Sequence, residues 1–171
     1  MSSAKIYVTR QLPEAALSLL KNCGEMRVWE PDKVIPRAVL LREVQEVEAL
    51  LCMVTEQIDA ELLAHSSKLR IVANMAVGYD NVDVPALTRR GIVLTNTPGV
   101  LTETTADLAF ALILGIARRI GEAERIVRQG RWRAWSPFSF LGRDVHHATL
   151  GILGLGRIGT EIGRASCRER V

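Results

Sequence analysis

The stretch from Thr149 to Gly163, TLGILGLGRIGTEIG, restricts what this chain can become more than any other. A short apolar run (Leu150, Ile152, Leu153) ends at Gly154 and passes into Gly154-Leu155-Gly156-Arg157-Ile158-Gly159, which reads G-x-G-x-x-G. Where a buried strand turns into a helix, each of these glycines has its own physical task. Gly154 permits the tight turn, Gly156 lets main chain meet a pyrophosphate with no Cβ between them, and Gly159 lets the new helix lie close on the strand. The free N–H groups and the positive dipole end of that helix then receive phosphate charge. Glycines also cluster in ordinary loops, so the weight falls on context: an apolar strand-like run before, and small or apolar Ile158, Ile162 and Gly163 after. The expectation is a dinucleotide-binding turn at a strand–helix junction.

The 171 residues suffice for one domain and part of another. A hydrophobic content of 48%, with charges spread along the chain, is that of a soluble globular protein. No apolar run approaches the ~20 residues of a membrane helix. Met1-Ser2-Ser3-Ala4-Lys5 leads straight into a strand-like run, so no signal peptide is expected. Cys23, Cys52 and Cys167 show no metal-ligand spacing, which suits a reduced, cytoplasmic setting. Arg164, Arg168 and Arg170 against Glu169 supply most of the net charge of +3, so overall charge gives no support to a nucleic-acid partner.

The same end bears on completeness. A nucleotide-binding helix starting near Arg157 should run for about three turns on an apolar stripe and lead into a second strand. The sequence instead gives Ala165-Ser166-Cys167-Arg168-Glu169-Arg170-Val171 and stops. The expectation is a truncated chain, with residues 164–171 candidates for a non-native end.

Upstream, strands and helices alternate. Lys5–Thr9 reads as a strand, and Pro13 opens a helix with Ala16, Leu17, Leu19 and Leu20 on its apolar face. Met26–Trp29 is a second strand, Val39–Val47 an amphipathic helix, and Ala49–Val54 a continuous apolar run expected of a strand buried on both faces. A short helix begins near Asp59, a strand spans Arg70–Ala73, and a helix over Asp83–Arg90 ends at Gly91 before the strand Ile92–Leu94. That alternation predicts an α/β fold with a doubly wound parallel sheet. Thr97-Pro98-Gly99 marks the domain boundary. Beyond it, Thr104-Thr105-Ala106-Asp107 has the form of a capping box, and Leu108–Ala117 is apolar nearly all round, as in a helix buried on most sides. Arg118–Arg133 is basic and runs into Trp132 and Trp135. Arginines among aromatics suit single-stranded nucleic acid, but Glu122 and Glu124 dilute the charge, which favours a solvated helix and an interface arm.

At Val72–Asp83 (VANMAVGYDNVD) and Leu94–Asp107 (LTNTPGVLTETTAD) the sequence resembles the D-isomer-specific 2-hydroxyacid dehydrogenases, and within them the glyoxylate/hydroxypyruvate reductases. The resemblance runs from Lys5 to about Arg164. It implies a flavodoxin-like substrate (catalytic) domain over residues 1–99, followed by the start of a Rossmann NAD(P)-binding domain over residues 100–171. Main-chain amides at Val77-Gly78 would hold the substrate carboxylate, and Met53 would line the pocket. Thr105 and Val77 would touch the cofactor, and Gly154, Gly156, Arg157, Ile158 and Gly159 would hold its pyrophosphate. Trp135 would reach a neighbouring subunit's pocket, with Arg118–Gly142 as the arm of a homodimer. Simpler readings stand beside these. Met53 at a strand end suits a core, Gly78-Tyr79-Asp80-Asn81 suits a turn, Thr105 suits a helix cap, and both tryptophans suit an apolar interface.

Reduction of a 2-oxo acid by hydride needs a proton donor near neutral pKa, usually His. His146 and His147 precede the apolar run at the wrong end for a cofactor, and His65 ends a peripheral helix. None matches the family's catalytic position. The resemblance places the substrate-gripping arginine and the Glu–His acid/base pair after the glycine-rich turn, so no catalytic residue is assigned in this chain. The acidic residue that separates NAD from NADP, ~20 residues beyond the glycines, is missing as well. The expected function is hydride transfer between NAD(P)H and a small 2-oxo acid, glyoxylate or hydroxypyruvate, with this chain inactive alone. A non-catalytic NAD-binding corepressor of the same fold, or a phosphoglycerate- or formate-type dehydrogenase, remains an alternative. Neither membrane nor nucleic acid is expected as a partner.

Overall fold

The computed structural model describes residues 3–168, and the chain divides into two compact units, one up to Pro98 and the other from Gly99. The first contains β1 (Ala4–Val8), α1 (Glu14–Lys21), β2 (Gly24–Val28), α2 (Arg37–Glu43), β3 (Ala49–Cys52), α3 (Ala60–His65), β4 (Ile71–Asn74), α4 (Val84–Arg89) and β5 (Val93–Thr95). Every neighbouring pair is parallel, and the five strands lie in the order β2-β1-β3-β4-β5. This is the flavodoxin-like doubly wound order, reversing between β1 and β3. The α/β class expected from the alternation of elements holds.

Period-two alternation along the central strands feeds two cores. Tyr7, Leu50 and Cys52 pack with Leu40, Leu62, Leu63 and Leu87 from α2, α3 and α4. Ile6 and Val8 pack with Leu17 of α1 on the opposite side. Burial pushes the Cys52 thiol up to about 12, helped by the nearby Glu56 charge, so this sulfur stays protonated and unreactive. Helix starts follow local chemistry. Asp59 Oδ1 accepts the Leu62 N–H at 3.0 Å and Asp83 Oδ1 accepts the Ala86 N–H at 3.0 Å, each satisfying an orphan donor of its helix. The helix expected over 39–47 begins earlier, at Arg37, and stops at Glu43, because Val44 and Val47 are buried in the connection to β3.

The second unit holds α5 (Thr102–Ala117), α6 (Ile120–Arg128) and α7 (Arg157–Arg168), with α5 packed against both others. Three expectations fail here. Leu150–Leu153 forms no strand, and Leu153 is fully exposed. A strand exists by pairing, and among the described residues this unit has no second strand to pair with. α5 is not buried on most sides, since Leu108, Leu112 and Ile116 are exposed. A helix apolar all round needs neighbours all round, and within its unit α5 has two. The capping box at Thr104–Asp107 is not made either, because the helix already starts at Thr102 with Leu101 at the cap. Thr104 Oγ1 donates back to the Leu101 carbonyl at 3.2 Å, and the Thr105 N–H is bonded to that same carbonyl at 3.0 Å. Of the suspected non-native end, residues 169–171 lie outside the described residues. Among the described residues no helix is long and apolar enough to cross a membrane.

Candidate active site

In doubly wound sheets ligands bind beyond the carboxyl ends of the strands, at the point where strand order reverses. That edge carries Thr9 after β1, Met53–Glu56 after β3, Met75–Asn81 after β4, and Asn96 and Thr97 after β5. At its centre is Glu56, a carboxylate only 3% exposed. Its Oε2 accepts from Thr9 Oγ1 at 2.7 Å and from the Met53 N–H at 2.7 Å, while Oε1 accepts from Thr55 Oγ1 at 2.6 Å. Hydrogen bonds replace the water this buried charge has lost.

Two buried asparagines extend the network. Asn74 and Asn81 exchange amide hydrogen bonds, Nδ2 to Oδ1, at 3.2 and 3.4 Å. Asn81 Nδ2 also reaches the carbonyls of Met53 at 3.2 Å and Glu56 at 2.8 Å. Asn74 Nδ2 also reaches the Gly78 carbonyl at 3.0 Å. The loop after β3, with Met53, and the loop after β4, with Val77 and Gly78, are therefore tied into one frame. Met53 is part-buried against the α1-side core, so it is at once a core residue and a loop residue. Val77 and Gly78 are exposed, and among the described residues no hydrogen bond uses either N–H. A Cβ at Gly78 would meet nothing nearer than Asp80 Oδ2, at 3.7 Å. On the side where a Gly78 side chain would stand, the backbone is therefore open as far as the Asp80 carboxylate.

The second unit carries the glycine-rich turn. Gly154 adopts φ +96°, a backbone conformation that L side chains rarely take. At Gly159 a Cβ would fall inside the contact distance of the Gly154 carbonyl oxygen and 3.2 Å from its carbon, so only glycine lets α7 close on the turn. At Gly156, by contrast, a Cβ would meet nothing within 4 Å, leaving main chain open to a ligand. Arg157 and Ile158 begin α7, and the Gly156 carbonyl accepts the Thr160 N–H at 2.9 Å. A tight turn, a forced close approach and open backbone at a helix N-terminus together fit a pyrophosphate.

The remaining expected residues are placed as follows. Thr105 lies exposed in the first turns of α5, and Trp135 is 78% exposed in the segment after α6. Trp132 stacks on Phe140, with ring centroids 6.1 Å apart. His65 closes α3 with Nδ1 at 2.9 Å from the Glu61 carbonyl, and His146 and His147 pack edge to face, 5.0 Å apart. Among the described residues no cluster of His, Cys, Asp and Glu has the arrangement of a metal site. Glu56, Thr9, Asn74 and Asn96 were not singled out from sequence. Thr9, Asn74 and Asn96 directly follow or close a strand at the carboxyl edge, which was the available signal, and Glu56 lies four residues past the end of β3.

Residues 6–167 match the family described as D-isomer specific 2-hydroxyacid dehydrogenase, catalytic domain. The chain belongs to this family. Among its relatives is a glyoxylate reductase from Pyrococcus horikoshii, 51% identical over 164 residues, covering 94% of this chain and 49% of that protein. A glyoxylate reductase from Aeropyrum pernix is 46% identical, with 96% of this chain and 51% of that one covered. The chain thus spans about half the length of the curated relatives it matches. Among solved structures, a Thermus thermophilus protein superposes with TM-score 0.92 at 42% identity, covering 96% of this chain and 53% of its own. An NADPH-dependent glyoxylate/hydroxypyruvate reductase from Sinorhizobium meliloti, solved with NADP and malonate, gives TM-score 0.74 at 33% identity, covering 99% and 52%.

Proposed function

We propose that the two units are the substrate domain, residues 1–99, and the first part of the nucleotide domain, residues 100–171, of an NAD(P)-dependent reductase of glyoxylate or hydroxypyruvate. The observation that carries this reading is the pair of N–H groups at exposed Val77 and Gly78 that carry no hydrogen bond among the described residues, in a chain of this family. Main-chain donors at a small residue suit a carboxylate, which every 2-oxo acid has. Met53 would face the rest of the substrate, and Thr105 and Val77 the nicotinamide cofactor. Gly154, Gly156, Arg157, Ile158 and Gly159 would hold the pyrophosphate, and NAD and NADP are equally compatible with them. Bound there, the cofactor supplies the hydride, while this chain's own residues bind and orient the acid. Exposed Trp135 and the segment Arg118–Gly142 would serve as the arm of a homodimer, and the working compartment would be the cytoplasm.

The test is a titration of the isotope-labelled 171-residue chain with oxamate, an unreactive isostere of a 2-oxo acid. Val77 and Gly78 amide resonances are expected to move together. Gly78→Ala is expected to keep the fold, because its Cβ meets only ordinary contacts, yet to weaken binding about tenfold by standing between anion and amide. Unmoved Val77 and Gly78 resonances would sink the reading. No turnover of glyoxylate or hydroxypyruvate is expected from this chain alone, since the resemblance puts the acid/base pair beyond its glycine-rich turn. Oxidation of NADH or NADPH above background by the purified chain would show otherwise.

A further inference from the structure

We propose that Asn96 is a positioning residue of the anion site, acting through the peptide planes of the loop after β4. The inference rests on the reading of Val77-Gly78 as the carboxylate grip. A peptide plane is rigid, so the direction of one residue's carbonyl fixes that of the next residue's N–H. Along this loop three successive planes are held from the carbonyl side. The Thr97 N–H donates to the Ala76 carbonyl at 2.8 Å, which sets the Val77 N–H. Asn96 Nδ2 donates to the Val77 carbonyl at 2.8 Å, which sets the Gly78 N–H. Asn74 Nδ2 donates to the Gly78 carbonyl at 3.0 Å, which sets the Tyr79 N–H.

Carbonyls are tied down while the amide hydrogens of Val77 and Gly78 carry no bond among the described residues. Held carbonyls beside unbonded amide hydrogens leave the Val77 and Gly78 N–H groups available to an anion. Asn74 is buried in the Glu56–Asn81 frame, so its loss would disturb the fold as well. Asn96 is half-exposed and makes one side-chain bond, to the Val77 carbonyl. It is the member of the set whose removal isolates orientation from stability. Without it the Val77–Gly78 plane can rotate, and the Gly78 N–H is no longer held in one direction.

The experiment is oxamate binding to the 171-residue chain and to Asn96→Ala and Asn96→Leu, read at the Val77 and Gly78 amides alongside the thermal midpoint. Both variants are expected to lose about tenfold in affinity, as for a charge-assisted hydrogen bond made off axis, with the midpoint unchanged. If the alanine variant lowers the midpoint, the leucine variant, which fills nearly the same volume with neither donor nor charge, decides. Wild-type affinity in a folded variant overturns the role of Asn96 and leaves the carboxylate site standing. Absence of any response in the parent chain overturns the carboxylate site and the role of Asn96 with it.

Discussion

Glu56→Ala is expected to destabilise the first unit by about 3 kcal/mol, because it orphans buried donors. Thr9 Oγ1 and the Met53 N–H both bond to Glu56 Oε2, and Thr9 is fully buried. Each donor left dry costs about 1–3 kcal/mol, and the truncated side chain leaves a void as well. Thr55 is exposed and adds little, since water replaces its lost partner. Glu56→Gln separates hydrogen bonding from charge. Its carbonyl oxygen can occupy the Oε2 position and keep both buried bonds, while its NH2 faces the Thr55 hydroxyl, which can accept. The glutamine variant should therefore lose less than about 1 kcal/mol. Hydrogen exchange at the β1 and β3 amides, followed in urea, measures both. Equal losses for the two variants would mean that charge, not donor satisfaction, holds the edge together.

Gly159→Ala should open the glycine-rich turn, at a cost of about 1–3 kcal/mol for the overpacked contact. The added methyl collides with backbone, the Gly154 carbonyl, and also comes 3.4 Å from Ile152 Cγ2. Backbone cannot swing aside as a side-chain tip can, so α7 must shift or fray from its start. One turn along the same helix, Gly163→Ala is the control. Its methyl would meet nothing nearer than Ile152 Cδ1 at 3.6 Å, and alanine gains up to about 1 kcal/mol in helix propensity over glycine. Opposite signs for the two substitutions are expected in the amide protection of α7. Matching signs would show that the close approach at Gly159 is not what seats the helix.

The parts of the site legible in sequence are those encoded locally. Gly154, Gly156 and Gly159 announce a turn and a helix within six residues, and α7 begins at Arg157 as the spacing requires. The central strands β3 and β4 were legible for a similar reason, since each lies in a short, largely apolar run, whereas β2 carries Glu25 and Arg27 and begins two residues before the expected Met26. The buried polar frame was not legible. Thr9 and Glu56 are 47 positions apart, and Asn81 reaches back 25 positions to the Glu56 carbonyl. No local period joins them, and Asn81 taken alone reads as a turn residue. The Leu150–Leu153 run shows the opposite failure. Its pattern is that of a strand, but pattern supplies only the side chains, and a ladder needs a second backbone beside it.

The distribution of labour along the carboxyl edge bears on how such a site can change over generations. A carboxylate gripped by the Val77 and Gly78 amides is gripped by atoms that no codon alters. Their aim depends on side chains, since Asn74 and Asn96 donate to the Gly78 and Val77 carbonyls. What mutation can reach freely is the side chain at Met53, anchored through its own N–H to Glu56 and through its carbonyl to Asn81 whatever residue stands there. The grip on the headgroup would thus change only through the few asparagines that aim it, while the size and polarity of the tail drift at Met53 within what the α1-side core accepts.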